Sequence, residues 1–438
     1  MNWPLVPRVV SLAWIAVIAA GCVSTPDAPP ALATAACPVP AAPAPPVPAE
    51  PKGKPTAPVA SPPPPLALAP DPPAPAPEPY RGRLAPASWL SLPGWAEESF
   101  GEALAAFRQS CTVLATQPAW REVCEAASAL PVATGNPDAA RFFESRFVPH
   151  RVLNPDDSDT GTITGYYEPL LRGSRTRTAR YQHPVYAVPQ DLVVVDLSGL
   201  HPELRHKRLR GRLEGNRLVP YHSRSDIDSD GAPLKGNEIA WVDDPVELFF
   251  LHIQGSGQIQ LENGERLRVG YAEQNGHPFR SVASLLIRRG ELPAERTSLE
   301  GMRDWARRNP AKARQYLNAN PSFVFFRQLP PGLTGPLGTL GVPLTSGYSL
   351  AVDPRVIPLG VPVFLDATWP GTRQPLRRLM VAQDTGGAIY GAVRADFYWG
   401  FGDEAGRIAG RTKQQGRMWV LLPKGYSPPA TMAMGRGG

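Results

Sequence analysis

Residues 381–389 read Val381-Ala382-Gln383-Asp384-Thr385-Gly386-Gly387-Ala388-Ile389. After three further residues the chain continues Val393-Arg394-Ala395-Asp396-Phe397-Tyr398-Trp399-Gly400. Each half is a short apolar run of β type that meets an aspartate, with a glycine pair between them. A third such run lies upstream, Leu350-Ala351-Val352-Asp353-Pro354-Arg355-Val356-Ile357-Pro358-Leu359-Gly360. All three acids therefore stand at the edge of a core. A carboxylate there is costly unless paired or hydrogen-bonded, which leaves a structural and a catalytic explanation. Spacing alone favours structure, because aspartates that cap turns are common.

Working outward, the chain is strand-rich from here to its end, with runs at 344–352, 361–365, 378–382 and 418–422. Upstream β-type runs occupy 163–168, 184–188, 246–254 and 258–261. Asn263-Gly264 then predicts a tight hairpin into 267–269. Helical periodicity marks 281–288 and 298–317. A helical hairpin opens the folded part: Phe100, Leu104, Phe107, Cys111 and Leu114 recur at three- and four-residue steps, and Trp120, Val123, Cys124 and Ala127 resume the pattern after Gln117-Pro118. Cys111 and Cys124 both fall on apolar faces, where a disulfide or two buried thiols would fit equally. Asn136-Pro137-Asp138 reads as a further helix start, leading to Phe142, Phe143 and Phe147. Many short strands at close spacing argue for barrels and against a doubly wound sheet.

The amino terminus has a different character. Arg8 precedes an apolar core over 9–18, and Ala19-Ala20-Gly21-Cys22 follows, too short a stretch to span a bilayer. This resembles a bacterial lipobox, which implies cleavage before Cys22 and a lipid on that cysteine. Residues 23–80 hold 22 of the 54 prolines, with alanine in most gaps, so no core can form there. Such a stretch is expected to be an extended, semi-rigid leash. Formal charge is +6 over the whole chain while residues 1–80 contribute about −1, so the chain beyond residue 80 is mildly basic. That suits an acidic polymer, yet no nucleic-acid module or lysine block is present.

Several chemistries are excluded by motif. There is no GxSxG, HExxH, Walker loop or dinucleotide fingerprint. Asp226-Ile227-Asp228-Ser229-Asp230-Gly231 begins like a calcium loop, but position twelve is Asn237, Glu238 comes one residue late, and Pro233 and Gly236 interrupt it. A polar surface turn is the better reading. Asp384-Thr385-Gly386 mimics an aspartic-protease triplet, but the second triplet that chemistry needs is missing.

Taken together, the aspartate runs resemble the three-aspartate domain of the lytic murein transglycosylase A family. The same family is matched upstream by Gly165-Tyr166-Tyr167-Glu168-Pro169, Phe249-Phe250, Gln254-Gly255-Ser256-Gly257, Gly270-Tyr271, Asn275-Gly276-His277 and Asn320-Pro321-Ser322-Phe323-Val324-Phe325-Phe326, in order over roughly 100–424. The resemblance implies a mainly β fold with accessory helices. A double-psi β-barrel domain would surround the aspartate segments, a second β-barrel would be inserted in it, and the catalytic groove would lie between them. The implied division is a signal peptide at 1–21, a linker at 22–80, a helical segment and first part of the double-psi barrel at 81–168, the insert at 169–327, the three-aspartate part at 328–424 and a tail at 425–438.

It further implies cleavage of the β-1,4 bond between N-acetylmuramic acid and N-acetylglucosamine in peptidoglycan, with a 1,6-anhydro end as product. Asp396 takes the place of the catalytic acid, with Asp384 tuning or positioning it and Asp353 mainly structural. Burial beside Tyr398 and Trp399, or the charge of Asp384, would raise the pKa of that acid. Gly165, Tyr166, Tyr167, Gln254, Ser256, Gly386, Gly387 and Trp399 are the expected glycan contacts, although core packing would also explain the two tyrosines. The expected partners are glycan strands and, through the lipid on Cys22, the periplasmic face of the outer membrane, with room for other cell-wall enzymes and none for nucleic acid. Neither a cofactor nor a metal is implied. A two-carboxylate hydrolase and a non-catalytic wall-binding lipoprotein remain the alternatives.

Overall fold

Apolar residues at helical spacing and a cap borrowed from a distant turn build the first layer. The computed structural model of the chain describes residues 82–201, 204, 209–229 and 233–426. The signal segment, Cys22, the leash up to Tyr80, Asp230, Gly231 and the tail from 427 lie outside the described residues. After strand β1 (Arg83–Pro86) come α1 (Phe100–Leu114), α2 (Pro118–Ala129) and α3 (Asn136–Arg146). The residues expected to face inward on α1 and α2 are all buried. Asn136 Oδ1 accepts the Phe100 N–H at 2.5 Å and its Nδ2 donates to the Glu98 carbonyl at 2.8 Å, so the start of α3 caps the start of α1. Cys111 and Cys124 are joined in a disulfide across the α1–α2 hairpin. Replacing both by serine is expected to cost about 3 kcal/mol in denaturant unfolding, since the bond limits the unfolded chain.

Two strands, β2 (Phe147–Leu153) and β3 (Gly161–Glu168), lead to a second body of structure. It comprises β4 (Leu170–Ser174), β5 (His183–Tyr186), β6 (Val193–Val195), β7 (Leu209–Glu214), β8 (Arg217–Pro220), α4 (Arg224–Ile227), β9 (Glu238–Val242), α5 (Pro245–Gln254), β10 (Ser256–Leu261), β11 (Arg266–Gln274), α6 (Val282–Arg288), α7 (Leu299–Arg308), α8 (Pro310–Asn318) and β12 (Val324–Gln328). Six of these strands pair in the order β12-β11-β10-β4-β9-β5, and a bridge between Ala187 and Phe326 joins the two ends. Leu171, Val185, Ile259, Leu267, Val269 and Phe326 belong to its core. The strands β6, β7 and β8 form a separate small sheet.

Two sequence expectations fail here. The run 246–254 is the helix α5 and not a strand. Asp244 caps it through the Val246 and Glu247 N–H groups, Pro245 starts it, and Gly255 ends it at φ 78°. Local start and stop signals outweighed its aromatic, β-like composition. The run 298–317 is two helices, because Pro310 cannot continue the first.

The chain then returns as β13 (Ser349–Val352), β14 (Pro362–Thr368), β15 (Pro375–Asp384), β16 (Ala395–Phe401), α9 (Gly402–Ala409) and β17 (Lys413–Pro423). The first half of the expected strand at 344–352 is instead a turn, with Gly347 at φ 77°. Strand order runs β17-β14-β15-β13-β16-β3, and β3 pairs back onto β17, so six strands close into a barrel. Its core is continuous with α1–α3 through Phe107, Phe143, Phe147, Phe364 and Trp419.

Candidate active site

Strand pairing sets the aspartates in a row. Ala351 on β13 lies beside Asp384 of β15 on one side and Asp396 of β16 on the other, and Asp396 lies beside Thr164 of β3. Two strand steps put the backbones of Asp384 and Asp396 about 10 Å apart, with only the small Ala351 between them. One irregularity makes this possible. β15 has an extra residue, Gln383, where Leu350 and Ala351 face Ala382 and Asp384. Gln383 turns inward, and its amide donates to the Ala106 carbonyl and Ser110 Oγ at 2.9 and 3.0 Å. Asp384 is thereby left facing the row.

Asp396 is half-buried and accepts a 2.6 Å hydrogen bond from Thr164 Oγ1. Burial raises its pKa, Thr164 and Arg394 oppose the rise, and the charge of Asp384 adds to it, so the carboxyl is pushed up to about 6. Thr164→Val is therefore expected to raise the Asp396 pKa further, read by pH titration of its side-chain carboxyl resonance. An unchanged or lower value would mean that the bond does not stabilise the ionised form.

Asp384 is more firmly held. Its Oδ1 accepts from Thr339 N–H, Thr339 Oγ1 and Thr385 N–H, each at 2.9 Å, and its Oδ2 accepts from the Tyr166 hydroxyl at 3.0 Å. Burial raises its pKa while these donors pull it back. Burial, followed by the Asp384 charge, pushes the Tyr166 hydroxyl well above its ordinary pKa, so it remains a donor. Tyr166 and Tyr398 lie with ring centres 5.2 Å apart and, with Ala351, Ile389 and Leu344, make an apolar cluster beside the acids.

Asp353 stands apart. It is buried, accepts from Arg355 N–H, Nε and Nη2 at 3.1, 2.8 and 2.6 Å, and accepts from Gly391 N–H at 3.0 Å. Burial raises its pKa, but Arg355 and Gly391 more than offset that and leave it below the ordinary carboxylate value. Its contacts tie the 385–391 segment to the barrel.

Of the other expected contacts, Gly386 and Gly387 lie in the turn just after Asp384, and the Gly386 carbonyl accepts the Ile389 N–H at 3.0 Å. Trp399 does not join the row. Side chains alternate along a strand, so Asp396 and Tyr398 face one way and Phe397 and Trp399 the other. The Trp399 indole stacks on Phe397 at 4.2 Å and donates to Thr412 Oγ1 at 2.9 Å. Gly165 serves that packing, since a Cβ there would lie 2.5 Å from the indole nitrogen. Tyr167 is likewise a core residue, under Gly406, Ala405 and Ala409. Gln254 Oε1 accepts the Tyr167 N–H at 3.0 Å, and buried Ser256 begins β10, which places both where the two barrels meet.

Two site residues escaped the sequence reading. Thr164 carries a legible signal, alternating with Tyr166 along one strand. Thr339 lies in an irregular loop and carries none. Among the described residues no cluster of His, Cys, Asp and Glu has metal-binding geometry. Asp226 caps α4 with Ser223, and Asp228 accepts from Arg314 Nε and Asn318 Nδ2. Asn275 is a buried pin, donating to the His222 and Pro321 carbonyls and accepting from Phe323 N–H.

Comparison with known proteins adds the following. The family model of the MltA specific insert domain matches residues 162–327, and that of the 3D domain matches 348–422. The crystal structure of MltA from Neisseria gonorrhoeae (monoclinic form) is 40% identical with a TM-score of 0.70, over 79% of this chain and 94% of that one. Escherichia coli MltA with bound chitohexaose is 28% identical with a TM-score of 0.58, over 78% of this chain and 91% of that one. The membrane-bound lytic murein transglycosylase A of Escherichia coli strain K12 is 36% identical over 266 residues, 59% of this chain and 65% of its own length. The match thus spans just under two thirds of that curated relative.

Proposed function

This chain belongs to the membrane-bound lytic murein transglycosylase A family, and on that premise we propose that it cleaves the β-1,4 bond between N-acetylmuramic acid and N-acetylglucosamine in peptidoglycan, leaving a 1,6-anhydro end. The observation that carries the reading is one half-buried carboxyl, Asp396, with its pKa at about 6, beside a second acid already engaged by four donors. The reaction needs one carboxyl in two states. Protonated Asp396 gives its proton to the leaving glycosidic oxygen. Ionised Asp396 then takes the proton of the muramic acid C6 hydroxyl as that oxygen bonds to C1. The proton lost is regained, no water is consumed, and the substrate supplies the nucleophile.

Thr164 orients the acid, Asp384 adds a like charge and is itself fixed by Tyr166 and Thr339, and Asp353 holds the 385–391 turn. A relative solved with bound chitohexaose supports a glycan in the groove. The same proposal assigns 81–168 and 328–424 to the aspartate-bearing barrel and 169–327 to the insert. The membrane-bound relatives and the lipobox at Cys22 support a lipid anchor on the periplasmic face of the outer membrane. Among the described residues no helix is long and apolar enough to cross a membrane.

The decisive experiment is mass spectrometry of peptidoglycan digested by the purified protein. Anhydro-terminated fragments are expected. Fragments heavier by one water would identify a hydrolase, and an undigested wall would identify a binding protein.

A further inference from the structure

We propose that Arg268 is a positioning residue, which with Glu168 latches the inserted barrel onto the barrel that carries Asp396. The inference rests on the transglycosylase reading and concerns how that reaction's groove is held. The chain passes between the barrels twice, outward at Pro169 between β3 and β4, and back after β12. Arg268, on β11 of the insert, grips both passages. Its Nε lies 2.8 Å from Glu168 Oε1 as an ion pair without hydrogen-bond alignment, and its Nη2 donates to Glu168 Oε2 at 3.4 Å. Its Nη1 donates to the carbonyls of Leu333 and Gly335 on the return, at 2.5 and 3.3 Å.

Neighbouring contacts make the latch directional. Gln258 of β10 donates through Nε2 to Glu168 Oε2 at 3.0 Å and through its backbone to the Pro169 carbonyl at 2.8 Å. Two residues before Arg268, Arg266 lays its guanidinium over Phe401 at 5.7 Å. Phe401 ends β16, the strand of Asp396, and Glu168 ends β3, the strand of Thr164 and Tyr166. In β3 those three residues share one side at two-residue spacing. The latch therefore sets where the insert stands relative to the ends of the two strands that carry the acid and its hydrogen-bond donor.

Stability alone does not call for such a device. A wholly buried carboxylate facing an arginine is costly to desolvate, and an apolar pair would hold the barrels at least as well. What the charged pair adds is a single geometry: a planar guanidinium can satisfy a carboxylate and two carbonyls in one placement only. A glycan lying across both barrels would sense that placement. A short one lying over the Asp396 barrel alone would not.

The test compares the full chain with Arg268→Gln and Arg268→Lys on peptide-free glycan strands of graded length, with melting temperature measured alongside. Arg268→Gln is expected to raise KM for long strands about ten- to a hundredfold while kcat on the shortest cleavable strands stays near that of the unaltered protein. Arg268→Lys keeps the charge opposite Glu168 but cannot reach both carbonyls, and should fall between. Should Arg268→Gln not fold, Arg268→Lys alone decides, and a wild-type KM at every length would overturn the latch. A loss equal for short and long strands that follows the melting temperature would also overturn it, as a purely structural effect. Failure of the unaltered protein to make anhydro product would instead remove the underlying reading, and shows before any variant is compared.

Discussion

Asp396→Asn is expected to lower anhydro-product formation by on the order of a thousandfold or more, the range general acid–base groups contribute. It should also make the folded protein more stable at neutral pH. Both effects have one cause. The native carboxyl titrates at about 6 against 3.8 for an unperturbed aspartate, chiefly because burial penalises its charge. In the proposed mechanism the protonated form of Asp396 is the active one, so kcat/KM of the unaltered protein should be level at acid pH and fall as pH rises through about 6. For stability, the sign follows from the raised value. Below 3.8 the group is protonated folded and unfolded, and the asparagine variant should match the parent. As pH rises through about 6 the native state must carry a disfavoured charge, and the variant should gain about 2–3 kcal/mol. Urea unfolding at about pH 4 and pH 7.5, with product analysis beside it, checks both halves. Undiminished anhydro product would move the acid elsewhere, and a variant less stable at neutral pH would contradict the raised pKa.

Asp353→Ala is expected to destabilise by about 3 kcal/mol at neutral pH, since it removes the buried carboxylate that pairs with Arg355 and the acceptor of Gly391 N–H. Arg355 keeps some contact with water, which holds the figure at the lower end for a broken buried pair. Here the pH dependence has the opposite sign. The native Asp353 pKa is depressed, so its stabilisation is complete above the unfolded value and is lost as pH falls through the lower, native one. The gap between parent and variant should therefore close in strong acid, as denaturant curves at about pH 7 and pH 2 would show. A gap of constant size would mean that packing, and not the ion pair, is what the variant removes. Activity should fall as well, because the anchored turn joins the strand of Asp384 to that of Asp396.

Some of this was legible in the linear chain and some was not. The α1–α2 hairpin was readable because periodic burial is a local property, and so was the turn at Asn263-Gly264. The helix α5 is hidden in the linear chain although Asp244-Pro245 and Gly255 mark its ends, because nine residues rich in aromatic and aliphatic side chains have the composition of a strand. Trp399 lies three residues from Asp396. In a strand an odd separation means opposite faces, so once 395–401 is known to be a strand Trp399 falls on the face away from Asp396. Tyr166 and Tyr167 divide by the same rule, one toward Asp384 and one into the core.

The sequence by itself determined the β-rich class, the helical opening, the composition of the leash and the short segments in which the three aspartates lie. All are set by composition or by neighbours within a few residues, where periodicity and turn chemistry act. Only the tertiary structure decided which acid is poised, which is clamped and which is an anchor. Thr164 and Asp396 are 232 residues apart and meet through the pairing of β3 with β16. The pKa of about 6 comes chiefly from burial produced by packing of the whole barrel. Strand partners, register and the extra residue at Gln383 are chosen by the total burial of the closed barrel, a quantity that no short stretch of chain contains.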